Sequence, residues 1–223
     1  MDYASHIGQD QWVADVLGNR AGYFLDFGAF DGVTISNTLY LERSLGWTGI
    51  CVEPNPTYYP TVCAERVAIC INAALWPTSG ETVRLVDAHG LSSLDTFAKG
   101  DGNADVRAGM TQRVVDIETL NPTQVLDRFQ APAVIEYMSL DVEGCEYEVV
   151  SSIDLERYRV LLMTIEHNHH VEKKERIRAY LAARGYGVMQ VKNDDFFFKI
   201  GEDYALDPAE HAVRIDREYA IRE

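Results

Sequence analysis

The chain has 223 residues, 47% of them hydrophobic, and a formal net charge of −15. That length suits one α/β domain with a substantial core, while the acidic balance argues against a nucleic-acid partner, whose phosphates demand a basic face, and against an anionic membrane surface. No apolar run approaches a transmembrane span, Met1-Asp2-Tyr3 has no signal-peptide character, and the four cysteines, Cys51, Cys63, Cys70 and Cys145, lack C-x-x-C spacing and read as small hydrophobes in a reducing, cytoplasmic compartment.

Residues 1–20 predict a lead-in helix with Ile7, Trp12, Val13, Val16 and Leu17 on its apolar side, Ser5 as a cap and Asp10 near the positive end of the helix dipole. Tyr23-Phe24-Leu25 is a short apolar strand ending on Asp26. A glycine-spaced turn follows at Gly28, Ala29, Phe30, Asp31 and Gly32, and Ser36-Asn37-Thr38 leads into a helix carrying Leu39, Tyr40, Leu41 and Leu45. A second strand, Gly49-Ile50-Cys51-Val52, ends on Glu53-Pro54. Asn55-Pro56 opens a helix running through Val62 to Arg66, and Val67–Ile71 is a third strand, followed by Asn72-Ala73-Ala74.

Gly80–Asp87 alternates and reads as a strand or hairpin arm. Ala88–Gly109 is Gly-, Ser- and Asp-rich, the kind of long loop that is functional or disordered; the segment 88–110 is assigned to the substrate side. Thr111–Val115 reads as a short strand and Asp116–Phe129 as mainly helical. Ala133–Leu140 is a strand delivering Asp141-Val142-Glu143-Gly144, followed by a helix over Cys145–Ile153. Val160–Ile165 is wholly apolar, as a buried parallel strand is, and ends on Glu166-His167-Asn168-His169-His170. Glu172–Arg184 is an amphipathic helix stopped by Gly185. Gly187–Val191 and Asp195–Ile200 read as an antiparallel pair around Asn193-Asp194, and the charged tail, 201–223, as surface or as a junction with a neighbouring domain. The alternation predicts a single domain, 1–223, with a doubly wound, mostly parallel Rossmann-like sheet closed by a C-terminal antiparallel hairpin.

In such sheets ligands lie outside the carboxyl ends of the strands, where Asp26, Glu53, Asn72, Asp141 and Glu166 are all expected. The first turn is not G-x-G-x-x-G and has no P-loop lysine. A pyrophosphate there would meet Asp26 and Asp31 without a compensating base, whereas an ammonium or sulfonium suits them. Glu53, at the end of the second strand, is placed to accept both hydroxyls of a ribose. Together these features point to S-adenosylmethionine. The plainer alternative is that Asp26 and Asp31 cap the turn and Glu53 sits at a solvated strand end.

The chain also resembles the FkbM family of S-adenosylmethionine-dependent methyltransferases, through Gly8-Gln9-Asp10, Phe27-Gly28-Ala29-Phe30-Asp31-Gly32, Ser36-Asn37-Thr38, Leu41-Glu42, Gly46-Trp47-Gly49, Val52-Glu53-Pro54-Asn55, Asn72-Ala73-Ala74 and Ser139-Leu140-Asp141-Val142-Glu143-Gly144. The resemblance runs from about residue 5 to about residue 150, in family order. It implies a class I methyltransferase fold and a cofactor site drawing on Gln9, which folds back over the cleft, on Asp26, Gly28, Ala29, Gly32, Ser36, Asn37, Glu53, Pro54 and Asp141, and on Asn72 and Ala73 at the adenine edge. Family members of this kind modify hydroxyls of sugars and natural products, so the expected partner is a small-molecule or glycan acceptor.

An alcohol acceptor needs a general base or a metal to lose its proton. Asp141 with Glu143, and the run from Glu166 to His170, are the two clusters able to supply one. If the two strands are neighbours, Asp141, Glu166 and His167 could hold Mg²⁺ or Mn²⁺. Otherwise His167, Asp141 or Glu166 acts as a metal-free base, with His169 and His170 as solvated loop residues. A small phenol as acceptor, or a non-catalytic scaffold, are the rival readings.

Overall fold

A computed structural model describes residues 2–98, 104–110, 113–168 and 170–220. In chain order the elements are α1 (Gln9–Val16), β1 (Tyr23–Phe27), α2 (Leu39–Leu45), β2 (Thr48–Val52), α3 (Tyr59–Glu65), β3 (Ile69–Ile71), β4 (Ala74–Leu75), β5 (Thr82–Asp87), β6 (Ser93–Leu94), α4 (Ala104–Ala108), β7 (Arg113–Leu120), α5 (Pro122–Arg128), β8 (Val134–Leu140), α6 (Glu146–Ser151), β9 (Arg159–Glu166), α7 (Val171–Ala182), β10 (Tyr186–Val191), β11 (Asp194–Lys199) and α8 (Pro208–Ala220).

Side chains alternate across a strand, and the pairing register turns that alternation into two buried faces. Leu25, Met138, Met163 and Phe197 lie in one row across β1, β8, β9 and β11, and Phe24, Tyr137, Leu162 and Phe198 in the next row on the opposite face. The first face packs against Leu126 of α5, Val149 of α6 and Ile177 of α7. The second packs against Trp12 of α1, Leu41 of α2, Val62 of α3 and Ile215 of α8. Apart from Phe198, which is half-buried, these side chains are fully buried, and truncating any of them to alanine costs about 2–5 kcal/mol.

The main sheet has seven strands in the order β10-β11-β9-β8-β1-β2-β3, parallel except for β11, which runs antiparallel to both neighbours. From β1 the chain winds outward through β2 and β3, then returns to β8 on the other side. The point of reversal therefore lies between β1 and β8, where a crevice opens at the carboxyl ends. A second, four-stranded sheet, β4-β7-β5-β6, adds Leu85, Leu94 and Ile117 to the first core.

Some elements differ from expectation. Residues 116–120 are not helical. They continue β7, which pairs antiparallel with β5 over six positions from Thr82↔Glu118 to Asp87↔Arg113, and the helix begins only at Pro122 with Asn121 as its cap. The segment 88–109 contains β6 and α4, and Arg107 of α4 is buried; residues 99–103 of that segment, with Thr111 and His169, lie outside the described residues. The tail forms α8, whose Ala212 and Ile215 are buried and whose Pro208 carbonyl accepts the Trp12 indole N–H at 3.0 Å. Ser5 does not cap α1; its hydroxyl donates to Asp10 Oδ1 at 2.5 Å, and Gly8 is the cap. Cys51 and Cys145 are buried, Cys70 is half-buried and Cys63 is exposed. Among the described residues no helix is long and apolar enough to cross a membrane.

Candidate active site

The turn after β1 is pinned to its neighbours through backbone hydrogen bonds. Gly28 N–H and Ala29 N–H both donate to the Val52 carbonyl, at 2.9 and 3.1 Å, and Asp141 N–H donates to the Phe27 carbonyl at 2.9 Å. Position 28 requires glycine: its φ is 93°, and a Cβ there would stand 1.7 Å from the Asp141 carbonyl oxygen. The turn thus passes directly over the end of β8 and leaves a cavity of about 270 Å³ between β1, β2, β8 and the segment carrying β6.

Of the residues expected at a cofactor, Asp26, Gly28, Ala29, Ser36, Asn37, Glu53, Pro54, Ala73 and Asp141 line this cavity. Glu53 is 6% exposed. Its Oε2 accepts Phe30 N–H at 2.8 Å and its Oε1 accepts Asn55 N–H at 2.7 Å, so each oxygen keeps a lone pair. Burial, reinforced by the charges of Asp26 and Asp141, pushes the Glu53 carboxyl up to about 8. Ala73, Leu75, Leu85 and Leu94 form an apolar slot on the same side. At the other end Asn37 Nδ2 donates to Ser139 Oγ at 2.9 Å. The Asn37 Oδ1 and Asp141 Oδ1 atoms are shielded from solvent and have no hydrogen-bond partner among the described residues.

Asp26 has a different occupation from the one its position implies. It accepts the Thr38 hydroxyl at 2.5 Å and pairs with Arg66 Nη1 at 3.4 Å. Arg66 also bonds Glu42 Oε1, the Gly32 carbonyl and Thr38 Oγ1. Burial raises the Asp26 carboxyl, and Arg66 and Thr38 oppose the rise. Its role is to brace the turn from beneath. Gly32 stands behind the turn against Arg66 and Val62, and Asp31 accepts Val33 N–H, Thr34 N–H and the Thr34 hydroxyl. Asn72 is exposed and outside the cavity. Its amide donates to the carbonyls of Glu53 and Pro54 at 2.8 and 2.9 Å, so it holds the end of β2 in place.

A second cavity of about 290 Å³ adjoins the first and shares Ile35, Asn37 and Asp141 with it. Gln9 belongs here. Its Oε1 accepts Ile7 N–H at 3.0 Å and its Nε2 donates to Asp194 Oδ2 at 2.9 Å. Glu166 lines this cavity too, and the register Leu140↔Ile165 sets Asp141 and Glu166 at adjacent strand ends. Asp141, Glu143 and Glu166 each offer a carboxylate oxygen, all within 4.8 Å of one another. Burial pushes Asp141 up to about 6 and Asp194 up to about 7. Burial and the charges of Asp141 and Glu143 hold Glu166 well above the ordinary range. Each of the three therefore holds its proton to a higher pH than an exposed carboxyl does.

His167 does not join them. It is buried, with Nε2 3.6 Å from Asp195 Oδ1, and Asp195 is held by Arg178 at 2.6 Å, so His167 serves the base of the hairpin. His170 caps α7, accepting Lys173 N–H at 3.2 Å. Asp194 and Arg66 are the site residues that sequence reasoning missed. Asn193-Asp194 looked like an ordinary turn pair, and Arg66 like one face of a helix. Residue spacing carried no signal for either; Asp194 reaches the site because it is paired with Glu166 across β11 and β9.

No curated protein sequence matches the chain. Among solved structures, the METTL16 MTase domain aligns with a TM-score of 0.47 and 11% identity, over 86% of this chain and 66% of that one. Precorrin-6y C5,15-methyltransferase from Geobacter metallireducens GS-15 aligns with a TM-score of 0.42 and 12% identity, over 85% and 84%. The human methyltransferase 10 domain containing protein aligns with a TM-score of 0.43 and 11% identity, over 86% and 80%. In sequence, residues 26–188 match the Methyltransferase FkbM domain, from the end of β1 into β10. The chain belongs to the FkbM family of methyltransferases.

Proposed function

We propose that the chain transfers a methyl group from S-adenosylmethionine to a hydroxyl of a sugar, glycan or natural-product acceptor. The observation that carries this reading is the polarity of the first cavity: a carboxyl with free lone pairs at one end, an apolar slot beside it, and two shielded, unpartnered oxygens at the other. That pattern fits the cofactor. Glu53 would hold the ribose hydroxyls, the slot of Ala73, Leu75, Leu85 and Leu94 would take a flat apolar ring, and Asn37 Oδ1 and Asp141 Oδ1 would receive cationic or hydrogen-bond-donating groups. When bound, S-adenosylmethionine supplies an electrophilic methyl group on a sulfonium.

The chain's own part is positioning and proton removal. Asp141 lines both cavities and neighbours Glu166; burial pushes Asp141 up to about 6, a value suited to a general base acting on an alcohol. His167 is set aside as base because it lines neither cavity and its ring faces Asp195 of the hairpin, 3.6 Å away. A second reading is favoured by the closeness of Asp141, Glu143 and Glu166: an all-oxygen donor set suits Mg²⁺ or Mn²⁺, and an ion there would relieve the repulsion among the carboxylates and acidify a hydroxyl bound to it. Glu143 replaces His167 in that set, although its Oε2 also lies 3.5 Å from Arg107 Nη2.

The test is methyl transfer from labelled S-adenosylmethionine to a panel of glycosides, macrolide alcohols and phenols, repeated after exhaustive chelation and with Mg²⁺ or Mn²⁺ restored. Label in methyl ethers of the alcohols supports the reading, and transfer to phenols alone would replace the acceptor class. Full turnover in chelator removes the metal reading. Failure of the protein to bind S-adenosylhomocysteine would overturn the function itself.

A further inference from the structure

Three of the four cysteines stand together where β2, β3 and α3 meet, and none of the three lines either cavity. The parallel register sets Cys51 of β2 directly beside Cys70 of β3, the strand at the edge of the main sheet. Cys63 comes from α3. Tyr59 and Cys63 share one face of that helix, and the Tyr59 hydroxyl donates to the Cys70 carbonyl at 3.4 Å, so the same face carries Cys63 towards Cys70. The Cys70 thiol donates to the Ala68 carbonyl at 3.3 Å and faces the thiols of both Cys51 and Cys63. The cysteines form a series from core to surface: Cys51 is fully buried, Cys70 half-buried and Cys63 exposed. Val67, 93% exposed, leaves this edge open to small solutes.

We propose that Cys70 is a peroxide-reactive thiol and that Cys63 resolves its oxidised form into a reversible intrachain disulfide. The Cys70 thiolate attacks one oxygen of hydrogen peroxide. An S–O bond forms, the O–O bond breaks, and the other oxygen leaves as hydroxide, which takes up a proton. The Cys63 sulfur then attacks the Cys70 sulfenic acid. An S–S bond forms, the S–O bond breaks, and the hydroxyl leaves as water with the Cys63 proton. The two thiols lose two electrons and two protons, and the peroxide becomes two waters. A reducing thiol reverses the link by exchange, and the exposed Cys63 sulfur is where it enters.

The surroundings divide the roles. Contact with the Cys51 thiol, joined by the Cys63 thiol and the Arg66 charge, outweighs burial and the Glu42 charge and brings the Cys70 thiol down to about 7. A nucleophilic thiolate is therefore present at neutral pH. Cys51 is the opposite case: contact with Cys70, burial and the Asp26 charge hold its proton well above the ordinary range. Backbone spacing alone would permit a Cys51–Cys70 bridge, since neighbouring strands lie about 4.8 Å apart and disulfides accept Cα separations of about 4.4–6.8 Å. The buried, protonated Cys51 thiol is nevertheless the poorer nucleophile toward a sulfenic acid, and it serves as the hydrogen-bonding support of the Cys70 thiolate. Cys63 is left as the resolving partner.

The test takes the full chain, reduced and then freed of reductant, and exposes it to hydrogen peroxide at pH 7 with and without dimedone, a trap for sulfenic acids. Intact mass and non-reducing tryptic digestion follow. The wild-type monomer should lose two hydrogens, and peptides 44–66 and 67–84 should appear joined, the link vanishing with dithiothreitol. Peptide 44–66 holds both Cys51 and Cys63, so two variants assign the partner, each checked for folding by its melting curve. Cys51→Ala should keep the link. Cys63→Ser, a change at an exposed position, should lose it and carry dimedone on Cys70 instead; this variant decides alone if Cys51→Ala does not fold. A link that survives Cys63→Ser, a link found only between two chains, or a folded wild type in which Cys70 takes neither link nor dimedone would each overturn the proposal. None of these outcomes bears on the methyl-transfer reading, which involves other residues.

Discussion

Replacing Glu53 with alanine tests the cofactor reading most directly. Glu53 holds Phe30 N–H and Asn55 N–H at 2.8 and 2.7 Å and keeps one lone pair on each oxygen. Hydrogen bonds from ribose hydroxyls to a charged acceptor are worth about 1.5–3 kcal/mol, and about 1.4 kcal/mol is tenfold in Kd. Above about pH 8, where Glu53 is ionised, Glu53→Ala should therefore weaken S-adenosylhomocysteine binding roughly 10- to 150-fold. The variant also strands two amides, a cost of about 1–3 kcal/mol each, so the calorimetric titration must accompany a melting curve showing that the protein is folded. In the wild type the affinity should rise as pH passes through about 8, where the Glu53 carboxyl ionises; Glu53→Gln should abolish that rise. A folded Glu53→Ala protein with unchanged Kd would refute the ribose assignment.

Arg66→Met removes the cation between Asp26 and Glu42, and stranding buried charges of this kind costs about 3–5 kcal/mol in denaturant unfolding; a loss below about 1 kcal/mol would show that the network carries no such load. Arg66→Lys should recover only part, because one ammonium cannot reproduce the guanidinium fork. Gly28→Ala should cost more than about 3 kcal/mol or abolish soluble expression, since its Cβ would lie 1.7 Å from the Asp141 carbonyl oxygen; a normal melting curve would contradict the packing of the turn on β8. Glu53 also sets a pH dependence of stability. Its folded value near 8 lies above the ordinary 4.5, so its favourable contribution is complete below about 4.5 and is lost as pH rises to 8. The melting temperature of Glu53→Gln relative to wild type should accordingly climb between pH 5 and 8, and a flat difference would refute the raised value.

The ends of β2, β8 and β9 were legible because each is an apolar run closed by a carboxyl residue, Glu53, Asp141 or Glu166, whereas β1 runs one residue past the expected Asp26 to Phe27. The β7 segment was not legible. Its sequence, Arg113–Leu120, alternates but also fits a helical face, and only the antiparallel pairing with β5 decides the matter. Arg66 and Asp194 were hidden for a related reason. Their partners lie far away in sequence, Asp26 at 40 positions and Gln9 at 185, and local spacing carries no record of such contacts. The predicted cluster of Asp141, Glu166 and His167 was half legible. Adjacency of β8 and β9 brings the carboxyls together, but Asp195, one strand further out, draws His167 away.

The carboxyls along this edge divide by how the chain deals with their charge. Asp26 has Arg66, and Glu53 has two backbone amides. Arg66 compensates Asp26 within the fold, whereas burial outweighs the two amides at Glu53 and pushes its carboxyl up to about 8. Toward the hairpin the arrangement changes. Two buried cations nearby are engaged elsewhere, Lys173 with Glu146 at 2.6 Å and Arg107 with Glu143 at 3.5 Å, and Asp141 keeps a shielded oxygen without a partner among the described residues. Burial raises the proton affinities of Asp141, Glu166 and Asp194. Raised proton affinity marks such groups as candidates for proton transfer, and under the proposed function one of them would take the proton of the acceptor hydroxyl. Asp26 is thus compensated within the fold by Arg66, while Asp141 keeps an oxygen open to a ligand, and under the proposed function the proton transfer belongs at Asp141.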